Sequence, residues 1–136
     1  MRQLLRILVV DDHAIVRRSV CALLRAEPDF DVVCDVADGI QAVGRAEELQ
    51  PDVVVLDITM PRMDGLEAAS RIRKVAPAAE ILFLSQLDTL ETIRQTFRIG
   101  GRGYVVKSDA ARELVAAVRA VSGKQRYVSA RLASLV

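Results

Sequence analysis

Five polar residues follow directly on apolar runs: Asp11 and Asp12 after Ile7–Val10, Asp57 after Val53–Leu56, Ser85 after Ile81–Leu84, and Lys107 after Tyr104–Val106. Carboxylates gathered in one place repel, and each resists ionisation unless a cation neutralises them. Oxygen donors alone select a hard ion such as Mg2+, which keeps several waters and takes one or two carboxylates. A lysine ammonium and a hydroxyl beside that ion complete a hole shaped for a phosphoryl group. A carboxylate at its centre can attack phosphorus as a nucleophile. These residue types therefore describe Mg2+-assisted phosphorylation of an aspartate, provided that the fold brings them together. Singly they mean less: an aspartate at a strand end is more often a turn or helix cap, and a lysine there is surface.

The elements that must position them are legible in the hydrophobic pattern. The four runs above are apolar at every position, as in strands buried on both faces of a parallel sheet, and Val32–Val36 is mostly apolar. Each is followed by apolar residues at helical spacing: Ile15, Val16, Val20, Leu23 and Leu24; Ile40, Val43, Ala46 and Leu49; Leu66, Ala69 and Ile72; Leu90, Ile93 and Phe97; Leu114, Val118 and Val121. This is a strand and a helix repeated in turn, the pattern of a doubly wound α/β domain. Turn residues agree: Pro28-Asp29 breaks the chain after the first helix, Asp38-Gly39 opens the second, and Gln50-Pro51-Asp52 closes it. Asp64 starts the third helix, Pro77 ends it, Gly100-Gly101 ends the fourth, and Ser108 is placed to cap the fifth. Ligands of such sheets gather at the carboxyl ends of the strands, where all five polar residues fall.

Composition excludes other chemistries. At 136 residues, 51% hydrophobic and 27% charged, the chain suits one globular domain rather than a disordered or membrane-spanning one. No apolar stretch approaches the roughly 18 residues of a membrane helix, and the N-terminal run is too short for a secretory signal, so a cytoplasmic location without membrane contact is expected. A single histidine, His13, leaves no histidine metal cluster and reads as an exposed or capping residue. No tryptophan, 4% aromatic residues and a net charge of +1 argue against a nucleic-acid surface on this stretch of chain. Cys21 and Cys34 form no C-x-x-C pair and read as reduced core thiols.

Ile7-Leu-Val-Val-Asp-Asp-His13, Val53-Val-Val-Leu-Asp-Ile-Thr-Met-Pro-Arg-Met-Asp-Gly65, Leu84-Ser85 and Gly103-Tyr-Val-Val-Lys107 together resemble the receiver domain of bacterial two-component response regulators. The Asp-Asp-His start and the Arg-Gly-Tyr-Val-Val-Lys end resemble the LuxR-type (NarL/FixJ-like) branch. The resemblance spans residues 4 to about 123. It implies a flavodoxin-like five-stranded parallel sheet, order 2-1-3-4-5, with five helices. It also implies that Asp57 is the phosphoacceptor and takes a phosphoryl group from a sensor histidine kinase or a small acyl phosphate. Asp12, Asp57 and the Thr59 backbone carbonyl would ligate Mg2+, and Asp11 would act through a bound water. Lys107 would pair with Asp57 and then with the phosphoryl group. Ser85 would swing toward that group and Tyr104 turn inward behind it, repacking the face of helix 4, strand 5 and helix 5. The protein would catalyse only its own phosphorylation and dephosphorylation.

Gln86 departs from the small residue common in the family, and Leu87 follows it. A long amide there could crowd the site or shield the acyl phosphate. A stand-alone receiver acting through protein contacts is one alternative; a degenerate receiver that only binds partners is another, which Gln86 favours and the filled acidic, hydroxyl and lysine positions oppose. An aspartyl phosphohydrolase is a further alternative, opposed by the adjacency of Asp11 and Asp12 and by the absence of a cap insertion. Residues 1–123 are expected to form the receiver, and residues 124–136 to start a linker helix. The DNA-binding domain would lie outside this chain, which would reach DNA only through it, with homodimerisation possible on phosphorylation.

Overall fold

The computed structural model describes residues 3–135. Six strands form one parallel sheet in the order β2-β1-β3-β4-β5-β6. They are β1 Leu5–Val10, β2 Phe30–Val36, β3 Val53–Leu56, β4 Glu80–Ser85, β5 Gly103–Val106 and β6 Tyr127–Val128. The helices are α1 Ala14–Arg25, α2 Gly39–Leu49, α3 Gly65–Val75, α4 Leu90–Arg98 and α5 Ala110–Ser122.

Apolar residues at every strand position have a direct consequence. Successive side chains face opposite sides, so each strand feeds two cores. Leu8, Val10, Val54, Leu56, Ile81, Phe83, Tyr104 and Val106 pack with Ala42, Ala46, Ala69, Ile72 and Ile93 of α2, α3 and α4. Ile7, Val9, Val53, Val55, Leu82, Leu84 and Val105 pack with Val20, Leu24, Leu114, Val118 and Val121 of α1 and α5.

Helix starts follow the turn residues. Asp38 Oδ1 accepts from Gln41 N at 2.8 Å, and Asp64 Oδ1 from Glu67 N at 2.9 Å. Thr89 Oγ1 accepts from Thr92 N at 3.2 Å. Such caps satisfy N–H groups that the first helical turn leaves open. Ser108 departs from expectation. It lies inside a 3₁₀ turn, Lys107–Asp109, and Asp109 occupies the position before α5 without capping it through its side chain. A side chain inside that turn is not placed to cap the helix that follows.

The sixth strand is the larger correction. The expected linker helix is instead strand β6 followed by a 3₁₀ helix, Ala130–Leu135. Met1, Arg2 and Val136, which the expected boundaries include, lie outside the described residues. Helix α5 returns the chain so that β6 pairs parallel to β5, Gly103 opposite Tyr127 and Tyr104 opposite Val128. Leu132 is buried and joins the cluster containing Ile93, Tyr104 and Val106. Two strand residues leave no run or alternation to detect.

Candidate functional site

Register brings the acidic residues together. Val10 pairs with Leu56, so the chain leaves β1 into Asp11 and β3 into Asp57 side by side. Ser85 pairs with Val106, which sets Ser85 beside Lys107 at the same edge. Asp11 is 2% and Asp57 3% exposed. Lys107 Nζ lies 3.1 Å from Asp57 Oδ2 and 3.0 Å from Asp11 Oδ2. Asp57, Thr59, His13, Gln86, Leu87 and Lys107 line one recess of about 240 Å³.

Burial raises the Asp57 carboxyl to about 6, against the opposing Lys107 charge, and Asp11 and Asp12 push in the same direction as burial. Burial alone would lower the Lys107 ammonium, but its contacts with Asp11 and Asp57 outweigh that and raise it. Three neighbouring carboxylates, Asp11, Asp12 and Asp57, thus stand against one ammonium, that of Lys107, which contacts two of them.

The donor set fits a divalent ion. Ligand atoms of Asp11, Asp12, His13 and Asp57 lie within 4.8 Å of one another. Among the described residues, the buried Asp12 Oδ1 accepts no hydrogen bond, and the His13 ring nitrogen stands 3.3 Å away. Asp11 Oδ1 is occupied by the His13 backbone N–H at 2.9 Å. An orphaned carboxylate oxygen beside two buried aspartates is what Mg2+ satisfies.

Ser85 and Tyr104 are linked through Leu87. The Leu87 N–H donates to Ser85 Oγ at 3.1 Å, and the Tyr104 hydroxyl donates to Leu87 O at 2.6 Å. Tyr104 is fully buried, so its ring already points inward, and burial pushes its phenol up to about 12. Gln86 is exposed at the rim of the recess rather than packed into it.

Sequence reasoning missed three contributors. The Leu87 carbonyl is a backbone group, which no residue type announces. A Cβ on Gly65 would stand 2.0 Å from Asp57 O, so its bare Cα lets the loop after β3 close on that aspartate. The tail residues Ser129 and Arg131 reach the lysine turn, as described below.

The response regulator receiver domain family matches residues 7–119. The oxygen regulatory protein NreC of Staphylococcus epidermidis is 36% identical over 129 residues, covering 94% of this chain and 59% of the relative. The transcriptional regulatory protein LiaR of Bacillus subtilis is 32% identical over 133 residues, covering 98% and 63%. The chain thus spans about three fifths of the length of these curated relatives. A crystal structure of a LuxR-family two-component response regulator from Aurantimonas sp. superposes with a TM-score of 0.92 at 36% identity, covering 97% of this chain and 94% of that one. With buried aspartates, a hydroxyl and a lysine at one edge of a sheet in this strand order, the chain belongs to the response regulator receiver family, the phosphorylation-dependent signalling module of two-component systems, among relatives of the LuxR type.

Proposed function

We propose that Asp57 accepts a phosphoryl group from the phosphohistidine of a sensor kinase, or from a small acyl phosphate. The observation that carries this reading is the Lys107 ammonium bridging Asp57 Oδ2 and Asp11 Oδ2, with the Asp12 carboxylate beside them. A carboxylate oxygen of Asp57 forms the new bond to phosphorus. The bond from phosphorus to the donor nitrogen or oxygen breaks, and its electron pair leaves with the donor. Lys107 exchanges its contact with Asp57 for one with the phosphoryl oxygens, and Ser85 Oγ supplies a neutral donor from the other side. Asp12, Asp57 and the Thr59 carbonyl would hold Mg2+, with Asp11 acting through water. When bound, that ion neutralises charge on the carboxylates and on the transferring group. Chemistry of this kind is confined to the protein's own aspartate; the relatives are regulators.

Phosphorylation adds charge and strong acceptors that gain contacts in only one packing of the Ser85–Leu87–Tyr104 linkage, so populations shift. The face of α4, β5 and α5 is the element that reads the shift. In the cell, the reading is a cytoplasmic regulator that acts on transcription through a DNA-binding domain outside this chain, with homodimerisation on phosphorylation. No described helix is long and apolar enough to cross a membrane.

Incubation with Mg2+ and acetyl phosphate tests the site. The expected result is a one-phosphate gain in mass that Asp57→Ala abolishes. A gain that survives Asp57→Ala would overturn the assignment, as would no response to acetyl phosphate, beryllofluoride and phosphorylated kinase alike.

A further inference from the structure

The tail holds the chain on both sides of Lys107, by the backbone before it and by the Asp109 side chain after it. Before it, Val106 N–H donates to Ser129 Oγ at 2.9 Å, and Ser129 N–H donates to Tyr104 O at 2.9 Å. Ser129 is fully buried. After it, Asp109 closes the 3₁₀ turn that Lys107 opens, and Asp109 is 2% exposed. Arg131 holds that carboxylate with both arms of its fork, Nε to Oδ2 at 2.7 Å and Nη2 to Oδ1 at 2.8 Å. Arg112 adds a further hydrogen bond to Asp109 Oδ1. Glu113 Oε2 accepts from Ala130 N at 3.2 Å, so the tail is fastened at a third point.

This arrangement does more than bury a loose end. A lysine ammonium sits at the end of a flexible four-carbon stem, so its placement depends on how well its backbone is fixed. A bidentate arginine–carboxylate pair fixes orientation as well as distance. The family match ends at residue 119, before every tail residue that makes these bonds.

We infer that Arg131 is a positioning residue for the phosphorylation site: through Asp109, and together with Ser129, the tail holds the Lys107 turn where its ammonium meets Asp57 and the incoming phosphoryl group. The inference rests on the phosphorylation reading above. Linkage makes the coupling reciprocal, so filling the site also tightens the tail.

The test compares Arg131→Gln, Arg131→Lys and Arg119→Gln in the 136-residue chain. Arg119 is a matched control: it is 45% exposed against 48% for Arg131, and it holds Asp29 and Glu27 far along α5 from the lysine turn. The primary readout is the dissociation constant for beryllofluoride in Mg2+; the second is hydrogen exchange at the Ser129 amide. Coupling free energies between sites commonly change affinity by about 5-fold to 150-fold. Arg131→Gln is expected to weaken beryllofluoride binding by about fivefold or more, at the lower end of that range. Arg131→Lys should recover part of the loss, and Arg119→Gln should bind as wild type even where its Tm falls as far. In wild type, beryllofluoride should slow exchange at Ser129. Unchanged binding by Arg131→Gln sinks the inference alone, as does an equal loss in Arg119→Gln. If Arg131→Gln does not fold, Arg131→Lys against Arg119→Gln decides by the same comparison. If wild type binds no beryllofluoride, the same comparison is read from the rate of Asp57 phosphorylation by acetyl phosphate or phosphorylated kinase; no Asp57-dependent response to any of the three fails the phosphorylation reading and takes this inference with it.

Discussion

Gly65 N–H donates to Ile58 O at 2.7 Å, pulling the start of α3 down onto the end of β3. A methyl group there would meet Asp57 O at 2.0 Å, a backbone atom that cannot rotate away. Gly65→Ala is therefore expected to cost about 1–3 kcal/mol or more, measured by denaturant unfolding, as overpacking does. It should also lower the rate of Asp57 phosphorylation, because relief of the clash moves the aspartate itself. Wild-type rates in a destabilised Gly65→Ala protein would separate the fold from the chemistry and refute this. Tyr104 makes the complementary case. Tyr104→Phe keeps the buried ring and removes the hydrogen bond to Leu87 O. A loss of about 1 kcal/mol is expected, the ordinary net worth of such a bond. Acetyl phosphate should still modify Asp57 in that variant, since the hydroxyl touches the loop and not the aspartate.

Elements differ in how far their residues announce them. The strands β1, β3, β4 and β5 were legible because burial on both faces demands an unbroken apolar run, and their polar end residues marked the site. The helices α2 and α3 were legible from Asp38 and Asp64, whose side chains make the caps their positions suggested. The Asp11, Asp12 and Asp57 carboxylates and the Lys107 ammonium lie together because register follows from parallel neighbours. The sixth strand was not legible, because Tyr127–Val128 is recruited by the open edge of β5 and not by its own pattern. Ser108 was misplaced for a related reason: a three-residue turn intervenes between β5 and α5, and sequence spacing cannot see it. The edge has a measurable role. Cutting the chain after Gly123 removes β6 and leaves the Val106 N–H and the Tyr104 carbonyl without their Ser129 partners. Such an edge invites pairing with other chains. The shortened protein should show a lower Tm and concentration-dependent association in sedimentation; a monomer with an unchanged Tm would contradict this role for the tail.

Over the whole molecule, charge sets the response to ions and acid. A ligand that binds only the folded state stabilises it by about 2.7 kcal/mol at a hundredfold excess over its dissociation constant. Millimolar Mg2+ is expected to raise the Tm, chelation to reverse the rise, and Asp12→Ala to abolish it; an equal rise in that variant would place the ion elsewhere. The Arg131–Asp109 pair responds to acid instead. Hydrogen bonds from Arg131, aided by Arg112, hold the Asp109 carboxyl below its ordinary 3.8. A depressed carboxylate stabilises the fold above its unfolded value and loses that contribution as pH falls through the folded one. The part of the Ser129 amide protection that Arg131→Gln removes should therefore stay level from neutral pH down to about pH 4 and decline only below that; a change near pH 6 in that part would trace to Asp57, whose carboxyl is raised to about 6, and not to Asp109. The sixth strand also bears on how such modules can be recombined. A seam placed after α5 would strip a partner from the strand that leads into the Lys107 turn, so a chimera joined there inherits a receiver whose site edge has been altered. A seam beyond Leu135 keeps that edge whole, and fusions made at the two points should differ in phosphorylation even when the attached segment is the same.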